Sequence, residues 1–129
     1  MRRDIVKAME AHAEQSYPNE CCGLLGGMVD LFIEYYPLTN CAETPTRSYF
    51  AAPEELFQAM RRMRAFGFEQ MGIYHSHPAT GAYPSTKDIQ LAYYPDAINF
   101  IFSLHPVREL CAFQIADGAV TPIEFTIVD

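Results

Sequence analysis

The chain has 129 residues, half of them apolar, with nine Lys and Arg against sixteen Asp and Glu and a net charge of −7. That length suits a single domain over 1–129 with a core of its own, and the charge leaves no basic face for nucleic acid or an anionic membrane surface. No apolar run approaches the ~18 residues of a membrane span, and the first residues lead into an amphipathic stretch, not an apolar signal core. A cytoplasmic protein is expected.

Ile5, Met9 and Ala13 recur at helical spacing and predict a first helix over 2–16, ended before Pro18. His12 on it is expected to be structural or solvated. Tyr17-Pro18-Asn19 is a turn, and 20–27 reads as a buried strand running into a glycine bend. A second strand over 31–38 is expected to pair with it as a hairpin through Met28-Val29-Asp30. Residues 39–47 read as a polar loop and 48–51 as a short third strand. Pro53 opens a second helix with Leu56, Phe57, Met60 and Met63 on its apolar face, and Arg61, Arg62 and Arg64 as a solvated one.

Residues 70–77 then form a strand that stops at Pro78, followed by a loop marked by Gly81 and Pro84. A third helix is expected from Ser85 to about Tyr93, and 97–104 is apolar enough for a central strand. His105-Pro106 closes that strand, with His105 as a turn residue. Strands over 110–116 and 120–128 would form a hairpin at Asp117-Gly118-Ala119. The sum is about three helices and six or seven strands, and the hairpins favour an α+β class with a mixed, largely antiparallel sheet. Cys21, Cys22, Cys41 and Cys111 lack Cys-x-x-Cys spacing, so free thiols are expected. A bridge from Cys21 or Cys22 to Cys41 or Cys111 stays open.

Chemistry concentrates in His75-Ser76-His77-Pro78 and Ser85-Thr86-Lys87-Asp88. Alternate residues of a strand share a face, so the two imidazoles stand on one side, roughly 6.5–7 Å apart at the backbone. They can lean onto one ion, and Asp88 in a first helical turn would supply a third ligand, leaving a fourth position open. Ser76 faces away and supports the strand. Ser85-x-x-Asp88 is also a capping box, and capping and ligation are expected to compete for one oxygen of Asp88.

These residues, together with Asn19-Glu20-Cys21-Cys22-Gly23-Leu24-Leu25-Gly26 upstream, resemble the signature of the JAMM (MPN+) metalloprotease family. The resemblance implies the MPN/JAMM (cytidine-deaminase-like) fold, Zn2+ on His75, His77 and Asp88, Ser85 as a stabiliser of the oxyanion, and Glu20 as general acid/base. No signature position is missing, unlike in the metal-free MPN scaffold proteins. The chain is too short for the insertions with which large deubiquitinating members grip ubiquitin. It looks like the compact prokaryotic type, which implies a zinc peptidase or isopeptidase cutting after the C-terminal Gly-Gly of a ubiquitin-like sulfur-carrier protein. Two other readings remain: an MPN scaffold with an idle metal site, and a zinc hydrolase of a small amide. A homodimer is also open.

Overall fold

The structure is a computed structural model and describes residues 1–28 and 31–129. The chain runs α1 (Arg3–Ser16), β1 (Cys22–Met28), β2 (Leu31–Leu38), α2 (Pro53–Ala65), β3 (Gln70–His77), α3 (Thr86–Gln90), β4 (Ile98–Ser103), β5 (Glu109–Ala116) and β6 (Ala119–Ile123). The six strands form one sheet in the order β2-β1-β3-β4-β5-β6. Only β3 and β4 run parallel among the described residues; every other neighbouring pair is antiparallel. The parallel pair needs a crossover, and α3 lies in it. β1 and β2 pair up to Met28 opposite Leu31; Val29 and Asp30 of the expected hairpin link lie outside the described residues.

Side-chain alternation on the strands divides the core between two faces. On one face, Ile5, Met9 and Ala13 of α1 pack with Leu25, Phe32, Tyr74, Phe100 and Phe102. On the other, Ala59 and Met63 of α2 pack with Cys22, Leu24, Tyr36 and Leu38, with Ile73 half-buried against them. Ile101, fully buried, anchors a third cluster with Phe113 and Ile115, against which the half-buried Ile89 and Ala92 pack. The parity that sends Tyr74 and Ser76 toward α1 therefore sends Ile73, His75 and His77 to the face of α2 and α3. Gly23 sits opposite Tyr74 in the register. A Cβ there would come within 2.3 Å of the tyrosine ring, so a side chain at 23 would displace Tyr74, whose hydroxyl meets His12 Nδ1 at 2.7 Å. His12 is thus structural.

Several expectations needed correction. Residues 48–51 are not a strand; only an isolated bridge joins Asn40 to Ala51. The backbone there is satisfied by a side chain instead, since Phe50 N–H donates to Asn40 Oδ1 and the Asn40 amide donates to Ser48 O, both at 3.0 Å. The third helix ends at Gln90, short of Tyr93: Leu91 N–H still closes on Lys87 O, but Leu91 itself has left helical geometry at φ −100° and ψ 15°. Phe57 lies off the apolar stripe of α2 and is exposed, whereas Ala59 is buried in its stead. β1 starts at Cys22, two residues later than expected. β6 stops at Ile123, because the following segment crosses to the N-terminal one: Val128 N–H donates to Met1 O, and Arg3 N–H to Val128 O, each at 2.8 Å. His105 is an exposed turn residue, and all four cysteines are free.

Candidate metal centre

β3 ends in Tyr74-His75-Ser76-His77, and both histidines and Ser76 are buried. His77 Nδ1 faces Gly81 O at 2.8 Å. A carbonyl only accepts, so Nδ1 carries the hydrogen and Nε2 keeps its lone pair in the neutral ring. That Nε2 lies 3.0 Å from His75 Nε2, and each of them lies 3.1 Å from Asp88 Oδ2. Three electron-pair donors thus converge in a near-equilateral triangle. Donors sharing a tetrahedral ion at 2.0–2.1 Å per bond stand about 3.3 Å apart, so the triangle fits a zinc-sized cation to within a few tenths of an ångström. Tyr49 covers His75, its ring stacked at 4.5 Å.

Asp88 reaches this point through the start of α3. Ser85 is its N-cap, with Oγ accepting from Asp88 N–H at 3.0 Å, while Ser85 N–H donates to Asp88 Oδ2 at 2.9 Å. The oxygen that closes the cap, Asp88 Oδ2, is the same one that faces both imidazoles, and with two lone pairs it has capacity for a cap bond and for an ion. Ser85 is exposed, and its hydroxyl accepts from the cap without using its own hydrogen.

A Glu20 carboxylate oxygen and a nitrogen of each imidazole fall within 4.8 Å of one another, while the triangle with Asp88 has sides of 3.0–3.1 Å. The Glu20 side chain is 5 % exposed, and its Oε1 has no hydrogen-bond partner among the described residues. Burial lifts this carboxyl to about 7, with Asp88 adding to the rise and His77 and Lys87 opposing it.

Burial pulls both imidazoles toward the neutral form. At His75 it prevails and the pKa falls, whereas at His77 the hydrogen bonds to Asp88 and Gly81 outweigh it and the pKa rises. Burial works against ionised Asp88, but the two histidines and the Ser85 N–H outweigh it and hold the carboxyl well below the usual carboxylate range. Beside His75 and Asp88 opens a cavity of about 290 Å³, walled by Tyr49, Phe50, Leu56, Leu91 and Tyr93.

The five residues singled out from the sequence thus gather at one end of β3. Ser76 faces away from the centre and supports the strand: its Oγ accepts from Cys21 N–H at 2.8 Å and so fixes the residue after Glu20. Two contributors carried no sequence signal strong enough to find them, Tyr49 and Asn40, both on the loop before α2.

The profile of the prokaryotic homologues of the JAB domain matches residues 2–116. The chain belongs to this family. It is 40% identical over 133 residues to the CysO-cysteine peptidase of Mycobacterium tuberculosis, covering all of this chain and 90% of that protein. It is 33% identical over 111 residues to the desampylase of Haloferax volcanii, covering 84% and 71%. The solution structure of a Desulfitobacterium hafniense protein superposes with a TM-score of 0.85 at 34% identity, over 100% of this chain and 94% of that one. The α+β JAB/MPN fold implied by the motif is the one observed. None of the described helices is long and apolar enough to cross a membrane.

Proposed function

We propose that this JAB-domain chain is a zinc-dependent peptidase that hydrolyses the amide after the C-terminal Gly-Gly of a ubiquitin-like sulfur-carrier protein. His75, His77 and Asp88 are the metal ligands, Glu20 the general acid/base and Ser85 a donor to the developing oxyanion. The observation that carries the reading is Glu20: a buried carboxyl with an unpartnered oxygen, raised to about 7 by burial, within 4.8 Å of the two imidazoles. A scaffold with an idle metal has no use for such a group. The peptidase named among the relatives supports the same reaction class. Four free thiols suit a reducing compartment, the cytoplasm, and the whole of 1–129 would act as one domain.

Bound zinc supplies Lewis acidity, lowering the pKa of a water from about 16 to about 7 and polarising the scissile carbonyl. Glu20, poised near neutrality, takes a proton from the water as its oxygen joins the carbonyl carbon. The C–N bond then breaks, and Glu20 delivers that proton to the departing amine. The carrier keeps the oxygen in its new terminal carboxyl group, which gives up the water's second proton to solvent and becomes a carboxylate. The Ser85 hydroxyl has its hydrogen free to donate to the carbonyl oxygen as charge builds there, a contact typically worth about 3–4 kcal/mol. Glycine before the scissile bond lets the tail's backbone approach a centre set at a strand end without side-chain clash.

The test is mass spectrometry of a carrier bearing one amino acid or a short extension after Gly-Gly. The zinc-loaded protein should trim it to the free Gly-Gly end, and replacing the last glycine with valine should block cleavage. If such carriers stay intact while unrelated unfolded peptides are degraded, a general peptidase replaces the carrier reading.

A further inference from the structure

Glu20 presents a problem of positioning. Its Oε1 is buried without a hydrogen-bond partner, so the carboxylate is aimed mainly by where its backbone is held. Four bonds hold that backbone. Glu20 N–H donates to Pro45 O at 2.7 Å, Cys21 N–H to Ser76 Oγ at 2.8 Å, and Ser76 N–H to Cys21 O at 3.1 Å. The fourth comes from a side chain: Asn40 Nδ2 donates to Glu20 O at 2.9 Å.

Asn40 makes three more bonds. The same Nδ2 donates to Ser48 O at 3.0 Å, and Oδ1 accepts from Ala42 N–H and from Phe50 N–H, each at 3.0 Å. One amide thus ties the 40–50 loop into a closed unit and fastens that unit to Glu20. Ser48 and Phe50 flank Tyr49, the residue stacked on His75. The two halves of the amide differ in reach: the oxygen acts only within the loop, while the nitrogen both closes the loop on Ser48 and couples it to the backbone of Glu20. The loop's start, next to Asn40, is anchored as well, because Thr39 N–H and Oγ1 donate to the Glu55 carboxylate on α2 at 2.7 and 2.9 Å.

We infer that Asn40 is a positioning residue for the reaction, acting through Glu20 by fixing the carboxylate against the His75–His77–Asp88 centre. The inference rests on Glu20 being the general acid/base. It also says what Asn40 is not: it lies outside the metal ligand set, and it touches no part of a substrate.

Asn40→Asp separates the two halves. The acceptor for Ala42 and Phe50 survives, while the donor to Glu20 and Ser48 is lost. The zinc-loaded variant should show kcat lower by about tenfold to a hundredfold, the size of effect expected from a misplaced catalytic group, with KM within about twofold of wild type. Substituted Co2+ should give an unchanged visible spectrum, since His75, His77 and Asp88 are untouched. The deciding measurement is the same substitution in a Glu20→Gln background, where it should cost less than about twofold, because the group it positions is already gone. An equal loss in both backgrounds, or wild-type kcat in Asn40→Asp, overturns the inference. Asn40→Gln, which keeps the amide one methylene further out, is the second arm should the aspartate variant fail to fold, and it should show the same pattern. If Glu20→Gln itself keeps wild-type turnover, it is the acid/base reading that falls, and that outcome is visible before Asn40 is touched.

Discussion

Ser85 and Asp88 exchange two hydrogen bonds, amide to carboxylate at 2.9 Å and amide to hydroxyl at 3.0 Å. The carboxylate oxygen that closes the first is the one aimed at both histidines. The helix cap and the proposed metal ligand are therefore one group. Ser85→Ala should weaken metal binding, because losing a cap of this kind costs about 1 kcal/mol and frees Asp88 to drift. It should also lower kcat by about a hundredfold or more through the lost hydroxyl. Ser85→Thr should keep the cap and the metal. Competition with a chromophoric chelator measures the first effect and single-turnover kinetics the second; unchanged affinity in Ser85→Ala would separate cap from ligand.

The donor triangle predicts one metal ion per chain, with zinc the expected species. Elemental analysis of purified wild type and His77→Ala checks this. The variant should lose the ion while keeping the fold, since the sheet register around β3 is set by backbone bonds.

Glu20 should make the metal-free protein sensitive to pH. Its carboxyl sits at about 7 in the folded chain against an ordinary 4.5. Below pH 4.5 it is protonated in both states and has no effect. Between 4.5 and 7 the unfolded chain gives up the proton while the folded chain retains it, so stability falls as pH rises. Above 7 the cost is constant, at most about 3 kcal/mol and reduced by solvent at the open side of the site. In chelator, Glu20→Gln should be more stable than wild type at pH 8, with the gap closing toward pH 4.5. Urea midpoints across that range test it, and a gap that widens on acidification would contradict it. With zinc bound, the same variant should keep its metal yet lose about two to four orders of magnitude in rate.

The thiols should differ in reactivity. Burial pushes Cys21 up to about 11 and Cys22 up to about 12, leaving about one thiolate in a thousand or fewer at pH 8. Cys41 is exposed and Cys111 half-buried. Iodoacetamide should modify Cys41 first and Cys111 next, reaching Cys21 and Cys22 only after unfolding; peptide mass mapping reads the order directly.

The gathering of His75, His77 and Asp88 was legible because they are nearly contiguous. His75, His77 and Asp88 lie within fourteen residues, and strand parity alone puts two of them on one side. Glu20 came from its place in a motif, since nothing local in Glu20-Cys21-Cys22 announces a base. Asn40 was invisible for a physical reason: its four partners at 20, 42, 48 and 50 are gathered by tertiary structure. Its amide takes the place of strand pairing at Ser48 and Phe50. The ends of elements were the other weak point. The apolar character of the segment after Ile123 says that it packs, but not that it leaves the sheet to meet Arg2 and Met1.

A helix of five residues cannot hold itself together in water, and α3 has only five, none of them buried. What ties it to the sheet is the partial packing of Ile89 and Ala92 beneath it and the reach of Asp88 to β3. An ion gripped by His75, His77 and Asp88 would rivet the crossover segment to the strand. Leu91 and Tyr93, just beyond α3, wall the cavity beside the centre, so the shape of that cavity would follow whether the rivet is in place. Stripping the ion should quicken amide hydrogen exchange across 86–94 while β1, β3 and β4 stay protected, and the chain would lose its grip on substrate together with its chemistry.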